Sequence, residues 1–142
     1  MTQERGNMTS TEVVLEFAQA INRHDVETLC RLMTDDHLFV DTGGAQYRGR
    51  ETMRSGWQAY FSMVPDYTIE VQETVTDGPV VIAVGTAGGT YSPDGRLNPA
   101  DKWSTPAAWH AVVANGLVSV WQVFADNEPI RRIMRRYGRE TD

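Results

Sequence analysis

The sequence predicts an α+β domain in which three N-terminal helices pack on a curved, mostly antiparallel sheet and a short C-terminal helix follows. Three observations carry this. Up to about residue 65, apolar residues recur at helical spacing, as in Val13, Val14, Phe17 and Ile21. Beyond that point the period becomes two, with Tyr67, Ile69 and Val71 alternating with Thr68, Glu70 and Gln72. Asn115-Gly116 is the strongest hairpin signal in the chain.

Thr9-Ser10-Thr11-Glu12 has the spacing of a capping box and starts the first helix. Asn22-Arg23-His24-Asp25 breaks it, and Asp25 can cap a second helix carrying Val26, Leu29, Cys30, Leu32 and Met33. A strand is expected at His37-Leu38-Phe39-Val40-Asp41, with His37, Phe39 and Asp41 on one face and Leu38 and Val40 on the other. Gly43-Gly44 then turns the chain. A third helix runs from about Arg50 to Met63, its inner side holding Met53, Trp57, Tyr60, Phe61 and Val64, and Pro65-Asp66 ends it. Asp77-Gly78-Pro79 marks a turn before a long strand from Val80 to Tyr91, where Gly85, Gly88 and Gly89 suggest a bulge or tight bend. A polar loop covers 92–101, and a strand runs from Lys102 to Ala114, in which Pro106 implies an edge or bulge position. The last strand, Leu117 to Ala125, leads into a helix starting near Asp126-Asn127-Glu128-Pro129. The chain divides into a tail at 1–9, one domain at 10–138 and a tail at 139–142.

With 142 residues, 41% of them hydrophobic and 23% charged, the chain suits one domain with a core of its own. A net charge of −6 argues against a nucleic-acid surface. Arg131, Arg132, Arg135, Arg136 and Arg139 crowd the C-terminus and read as a solvated helix face. Cys30 is the single cysteine, so no disulfide or cysteine zinc site forms within the chain. No apolar run reaches membrane-spanning length, and MTQERGNMTS lacks a signal-peptide pattern. A reducing cytoplasm is the expected location. His24, His37 and His110 fall on different elements with no carboxylate at ligand spacing, so no metal is expected. The glycines follow no phosphate-loop spacing, so neither is a nucleotide.

VVLEFAQAINRHDVETLCRLMTDDHLFVD and VSVWQVFAD, at the two ends of the domain, resemble the opening and closing segments of the nuclear-transport-factor-2-like superfamily. The element order is similar over nearly the whole chain. The resemblance implies a cone-shaped α+β fold and a relation to SnoaL-like polyketide cyclases and ketosteroid isomerases. Aligned with ketosteroid isomerases, the catalytic base falls on Asp41, the oxyanion Tyr on Phe17 and the second Asp near Trp109. The Asp-Arg-Asp network of the limonene-epoxide hydrolases falls on Thr86, Val84 and Val123, and the closing-strand Asp of the cyclases also falls on Val123.

Alternation then gives an expected pocket of Phe17, Phe39, Trp57, Tyr60, Trp103, Trp109, Trp121 and Val123, with Asn127 at its rim. In such a setting Asp41 is the candidate base and His37 the candidate acid. Asp41 is also well placed to shape its own turn before Thr42-Gly43-Gly44, and His37 to bond a helix terminus. The expected activity is cofactor-free isomerisation, cyclisation or elimination on a small apolar, polyketide- or terpenoid-like molecule. A non-catalytic ligand-binding or dimerisation module is the alternative. The outer sheet face, including His110 and Gln122, is an expected homodimer surface.

Overall fold

The computed structural model describes residues 7–138. The expected tail at 139–142, and all but the last three residues of the one at 1–9, lie outside the described residues. Helix α1 (Ser10–Asn22) starts with the full capping box: Thr9 Oγ1 accepts from the Glu12 N–H, and the Glu12 carboxylate accepts from the Thr9 N–H. Asp25 caps α2 (Val26–Arg31) through the Thr28 N–H. This helix is shorter than expected, and Met33 belongs instead to strand β1 (Met33–Val40), which begins four residues before His37. A three-residue strand that the periodicity did not signal, β2 (Gln46–Arg48), pairs back on β1. Then come α3 (Arg50–Met63), β3 (Thr68–Asp77), β4 (Val80–Thr90), β5 (Lys102–Ala114), β6 (Leu117–Ala125) and α4 (Glu128–Arg136).

The strands form one sheet in the order β2-β1-β6-β5-β4-β3. Only the β1–β6 pair is parallel. Asn115 and Gly116 both take positive φ (53° and 78°), which allows the tight turn between β5 and β6. Helices α1 and α3 cover the concave face, with Phe17, Trp57, Phe61, Trp109 and Trp121 buried between helices and sheet. None of the described helices is long and apolar enough to cross a membrane.

Two strand irregularities shape the concavity. Strand β3 slips register between Val71 and Glu73, opposite Gly85. A β-carbon at Gly85 would overlap the backbone carbonyl of Glu70, so only glycine lets the two backbones come this close. Pro106, expected at an edge or bulge, lies where β5 is locally an edge, although the strand as a whole runs between β4 and β6. It is tolerated because β6 ends opposite Ala107, which leaves Pro106 a ladder partner on the β4 side alone. Gly85→Ala is expected to destabilise the fold by about 1–3 kcal/mol or more in urea unfolding. Unchanged stability would contradict this close approach.

Candidate functional site

At Met33–Leu38 the parallel ladder between β1 and β6 breaks: Met33 pairs with Val118 and Leu38 with Val120, so β1 spends five steps where β6 spends two. Backbone groups freed by the break need other partners. Arg50 donates to the Met33 carbonyl (2.6 Å) and Arg48 to that of Asp36 (3.1 Å). The Val118 N–H reaches Leu32 O (2.7 Å), and the Val118 carbonyl accepts from Nδ1 of His37 (2.7 Å). That bond places the proton on Nδ1 and leaves Nε2, which is enclosed and without a partner, as the bare nitrogen. His37 is fully buried, and burial holds its pKa below the ordinary imidazole range. The expected candidate acid is thus a neutral clamp across a gap in the sheet.

The face containing His37, Phe39 and Asp41 does point inward, but only its far end reaches open space. The ring of Phe17 lies 6.1 Å from His37 and 4.7 Å from Trp121, and Trp109 follows at 6.3 Å. This packed column fills the inner end of the concave face. Beyond it a cavity of about 330 Å³ remains. Its lining includes Phe39, Asp41, Trp57, Tyr60, Trp103, Trp109, Trp121, Val123 and Asn127, all expected there. Phe17 and His37 are the two corrections: both sit behind Trp121, outside the lining.

Among the described residues, Asp41 is the sole aspartate, glutamate, lysine, arginine or histidine in the lining. It follows the end of β1, where the chain turns back to β2. Its Oδ1 accepts from the N–H groups of Gly43 and Ala45, each at 2.9 Å. The turn-forming role is therefore present, and it holds the carboxylate still while Oδ2 carries no hydrogen bond or ion pair to the described residues. Beside it, Asn127 Nδ2 donates to Thr42 Oγ1 (2.7 Å), which makes a polar rim. Tyr47, 44% exposed, packs on Phe39 at 6.2 Å and marks the solvent side. Among the described residues no cluster of His, Cys, Asp or Glu could hold a metal ion.

The sequence reading did not place Tyr47, Thr42, Tyr67, Ile130 or Met134 in this site. Ile130 and Met134 lie one helical turn apart and line the cavity from α4, an i, i+4 spacing that the short helix did show. Helix α4 is held down by Asp101, 3% exposed, which accepts from Arg136 (2.6 Å) and from the Tyr137 hydroxyl. Those two donors, Tyr137 first, hold the Asp101 carboxyl below its usual range. Arg131, Arg132 and Arg135 gather around Glu128 on the outer side of the helix, as a solvated face would, and Arg139 lies outside the described residues.

For His37 the pH dependence has a definite sign. The unfolded chain protonates its imidazole near pH 6.5, whereas the buried ring resists the charge. Its contribution to stability is complete above that pH and is lost as the pH falls through it. Asparagine can present a donor in place of Nδ1 but does not titrate. His37→Asn is expected to lower stability by about 1–3 kcal/mol at pH 7.5. It should also flatten the decline in urea midpoint between pH 7.5 and 5.5. An unchanged slope would assign that decline to other groups.

No curated protein matches the sequence. Among solved structures, IdmH of Streptomyces antibioticus, provisionally named a polyketide cyclase, is 22% identical with a TM-score of 0.75, covering 90% of this chain and 99% of its own. A Shewanella denitrificans protein, provisionally named a SnoaL-like polyketide cyclase, is 16% identical with a TM-score of 0.76, covering 89% and 97%. A Catenulispora acidiphila protein with a ketosteroid isomerase-like fold, solved in complex with trimethylamine, is 18% identical with a TM-score of 0.75, covering 88% and 92%. At these identities the likeness shows the fold. The model of the SnoaL-like domain matches residues 14–121, most of the chain, and the protein belongs to that family.

Proposed function

We propose that the protein is a cofactor-free acid/base enzyme acting on a small apolar molecule, polyketide- or terpenoid-like, by isomerisation, cyclisation or elimination. The observation that carries this is a single fixed carboxylate, Asp41, in a cavity walled mainly by rings and aliphatic groups, with only neutral polar groups such as Thr52, Thr105 and Asn127 beside it. A cavity of about 330 Å³ falls within the range of small-molecule sites, roughly 300–1,000 Å³. The backbone N–H groups of Gly43 and Ala45 occupy Oδ1, so Oδ2 is the atom free to take a proton from carbon. Trp57, Trp109 and Trp121 supply flat apolar walls that position the substrate and exclude water from the transfer. His37 has no part in the chemistry.

A second reading, a module that binds its ligand without reacting, is favoured by the same bonds to Oδ1 and by the distance of His37 from the cavity lining. One experiment separates the two. In Asp41→Asn the side-chain carbonyl still accepts from Gly43 and Ala45 but takes no proton, so the variant preserves the turn. In deuterated water the wild type is expected to exchange the acidic C–H of 2-tetralone about 10²–10⁴ times faster than the variant does. Mass spectrometry follows the exchange and calorimetry the binding. Binding without exchange in either protein would establish the module instead.

We also propose a homodimer through the outer sheet face and a reducing, cytoplasmic location, the latter in keeping with the buried thiol of Cys30. On that face Val84, Ala108 and Phe124 stand in cross-strand register, next to the row Ile82, His110 and Gln122. Val84 is 42% and Phe124 52% exposed, and no helix covers them. Phe124→Glu is expected to shift the protein to monomer in sedimentation velocity. A wild type already monomeric at high concentration would refute the dimer.

A further inference from the structure

Two groups in the cavity have no role in the reading above. Tyr60, on α3, and Tyr67, just ahead of β3, meet edge to face with ring centroids 4.9 Å apart and planes at 90°, and both line the cavity. Neither hydroxyl has a hydrogen-bond partner among the described residues. The indole N–H groups of Trp57 and Trp121 also lack partners, but protein atoms enclose them, whereas the two tyrosine hydroxyls are not enclosed. A hydroxyl that opens onto a cavity and has no protein partner is free to donate to whatever fills it.

We propose that the Tyr60 and Tyr67 hydroxyls form a paired hydrogen-bond donor site for a carbonyl oxygen, so that the ligand is a neutral, apolar ketone or enone. The proposal rests on reading the cavity as a ligand site and adds the chemical class of what fills it. Burial raises the pKa of both tyrosines, and Tyr60 raises that of Tyr67 further, so both stay protonated and able to donate. Among the described residues the lining holds no lysine, arginine or histidine, and its one carboxylate repels anions. An acid or phosphate ester finds no counter-ion here. A ketone oxygen, which only accepts, has nothing to gain from Asp41 and is matched by the tyrosines.

The pair is also held in place beforehand. The Tyr67 N–H donates to Val64 O (3.1 Å), and the Tyr67 carbonyl lies 2.7 Å from Nε2 of His24. That imidazole stacks on Phe61 at 4.1 Å with the planes 4° apart. Two residues on, Asn22 brackets Ile69, accepting from its N–H (2.8 Å) and donating to its carbonyl (2.9 Å). The backbone that carries Tyr67 is thus pinned to the end of α1, and Tyr60 packs against the resulting ring. Sheet order places Tyr67 beside the β3 edge and Asp41 near the other side of the sheet, between β1 and the edge strand β2. The ligand therefore directs its oxygen to one side of the cavity and its reacting carbon to the other.

The test compares 2-tetralone with tetralin, a hydrocarbon of nearly the same shape. By calorimetry the wild type is expected to prefer the ketone by about tenfold or more, the effect of one well-formed hydrogen bond in an apolar site. The bound carbonyl stretch should move to lower frequency in the infrared. Tyr60→Phe and Tyr67→Phe should each reduce the preference. The double variant should abolish it, along with the infrared shift, while binding tetralin within about twofold of wild type. A preference and infrared shift that survive in the double variant would overturn the proposal, as would a wild type that binds both probes equally. If the wild type bound neither probe, the cavity reading itself would fall. Absence of exchange by the wild type, with the ketone preference intact, would remove the catalytic reading and leave this one standing.

Discussion

The column Phe17–Trp121–Trp109 decides how much of the concave face stays empty. Trp121 has no exposed surface, and its neighbours on both sides are equally enclosed. Each such ring buries roughly 150–250 Å², and truncating one typically costs about 3–5 kcal/mol. Because α1 brings Phe17 against the column, the inner end of the cone is solid core. Past Trp121 the cavity opens, lined by Trp57 and Tyr60 of α3 on one side and Trp103 and Trp109 of β5 on the other. Phe17 thus belongs to packing: its ring completes the column behind Trp121 and is not itself part of the lining.

The same column explains why two residues on one strand face have opposite roles. His37 lies on the solid side, where a charge would find no water, and its Nδ1 proton closes the gap left by the interrupted β1–β6 ladder. Asp41 lies on the open side, past the end of the strand, where turn N–H groups hold one oxygen and leave the other free. The Asp101 latch then fixes α4 so that Ile130 and Met134 close over the same space. Core packing, a patched ladder and a latched helix together leave a single carboxylate facing a mostly apolar room.

Much of this was legible in the residues. The capping box at Thr9, the Asp25 cap, the Asn115-Gly116 turn and the glycines of β4 are local signals, and each sits where local chemistry requires it. Strand alternation also pointed to Phe39, Trp103, Trp109, Trp121 and Val123 of the lining. It could not show that β1 breaks its pairing with β6, because that break depends on β6, about 80 residues away, and with it went the true role of His37. Nor could it show where solid core gives way to cavity, which depends on three rings from three elements. Tyr67 stood in the alternating pattern from the start. Its hydroxyl gains meaning only beside Tyr60, and the two meet across a turn whose shape is set by His24 and Asn22.

In the proposed function a ligand binds in the space between Asp41 and the tyrosine pair. The most direct measurement is a carbon-13 and nitrogen-15 resonance titration of the protein with 2-tetralone. Saturable shifts are predicted at the Asp41 carboxyl carbon and the Tyr60 and Tyr67 rings, with His37 and Phe124 unmoved. Shifts confined to the outer face around Phe124 and His110, with Asp41 silent, would contradict the account.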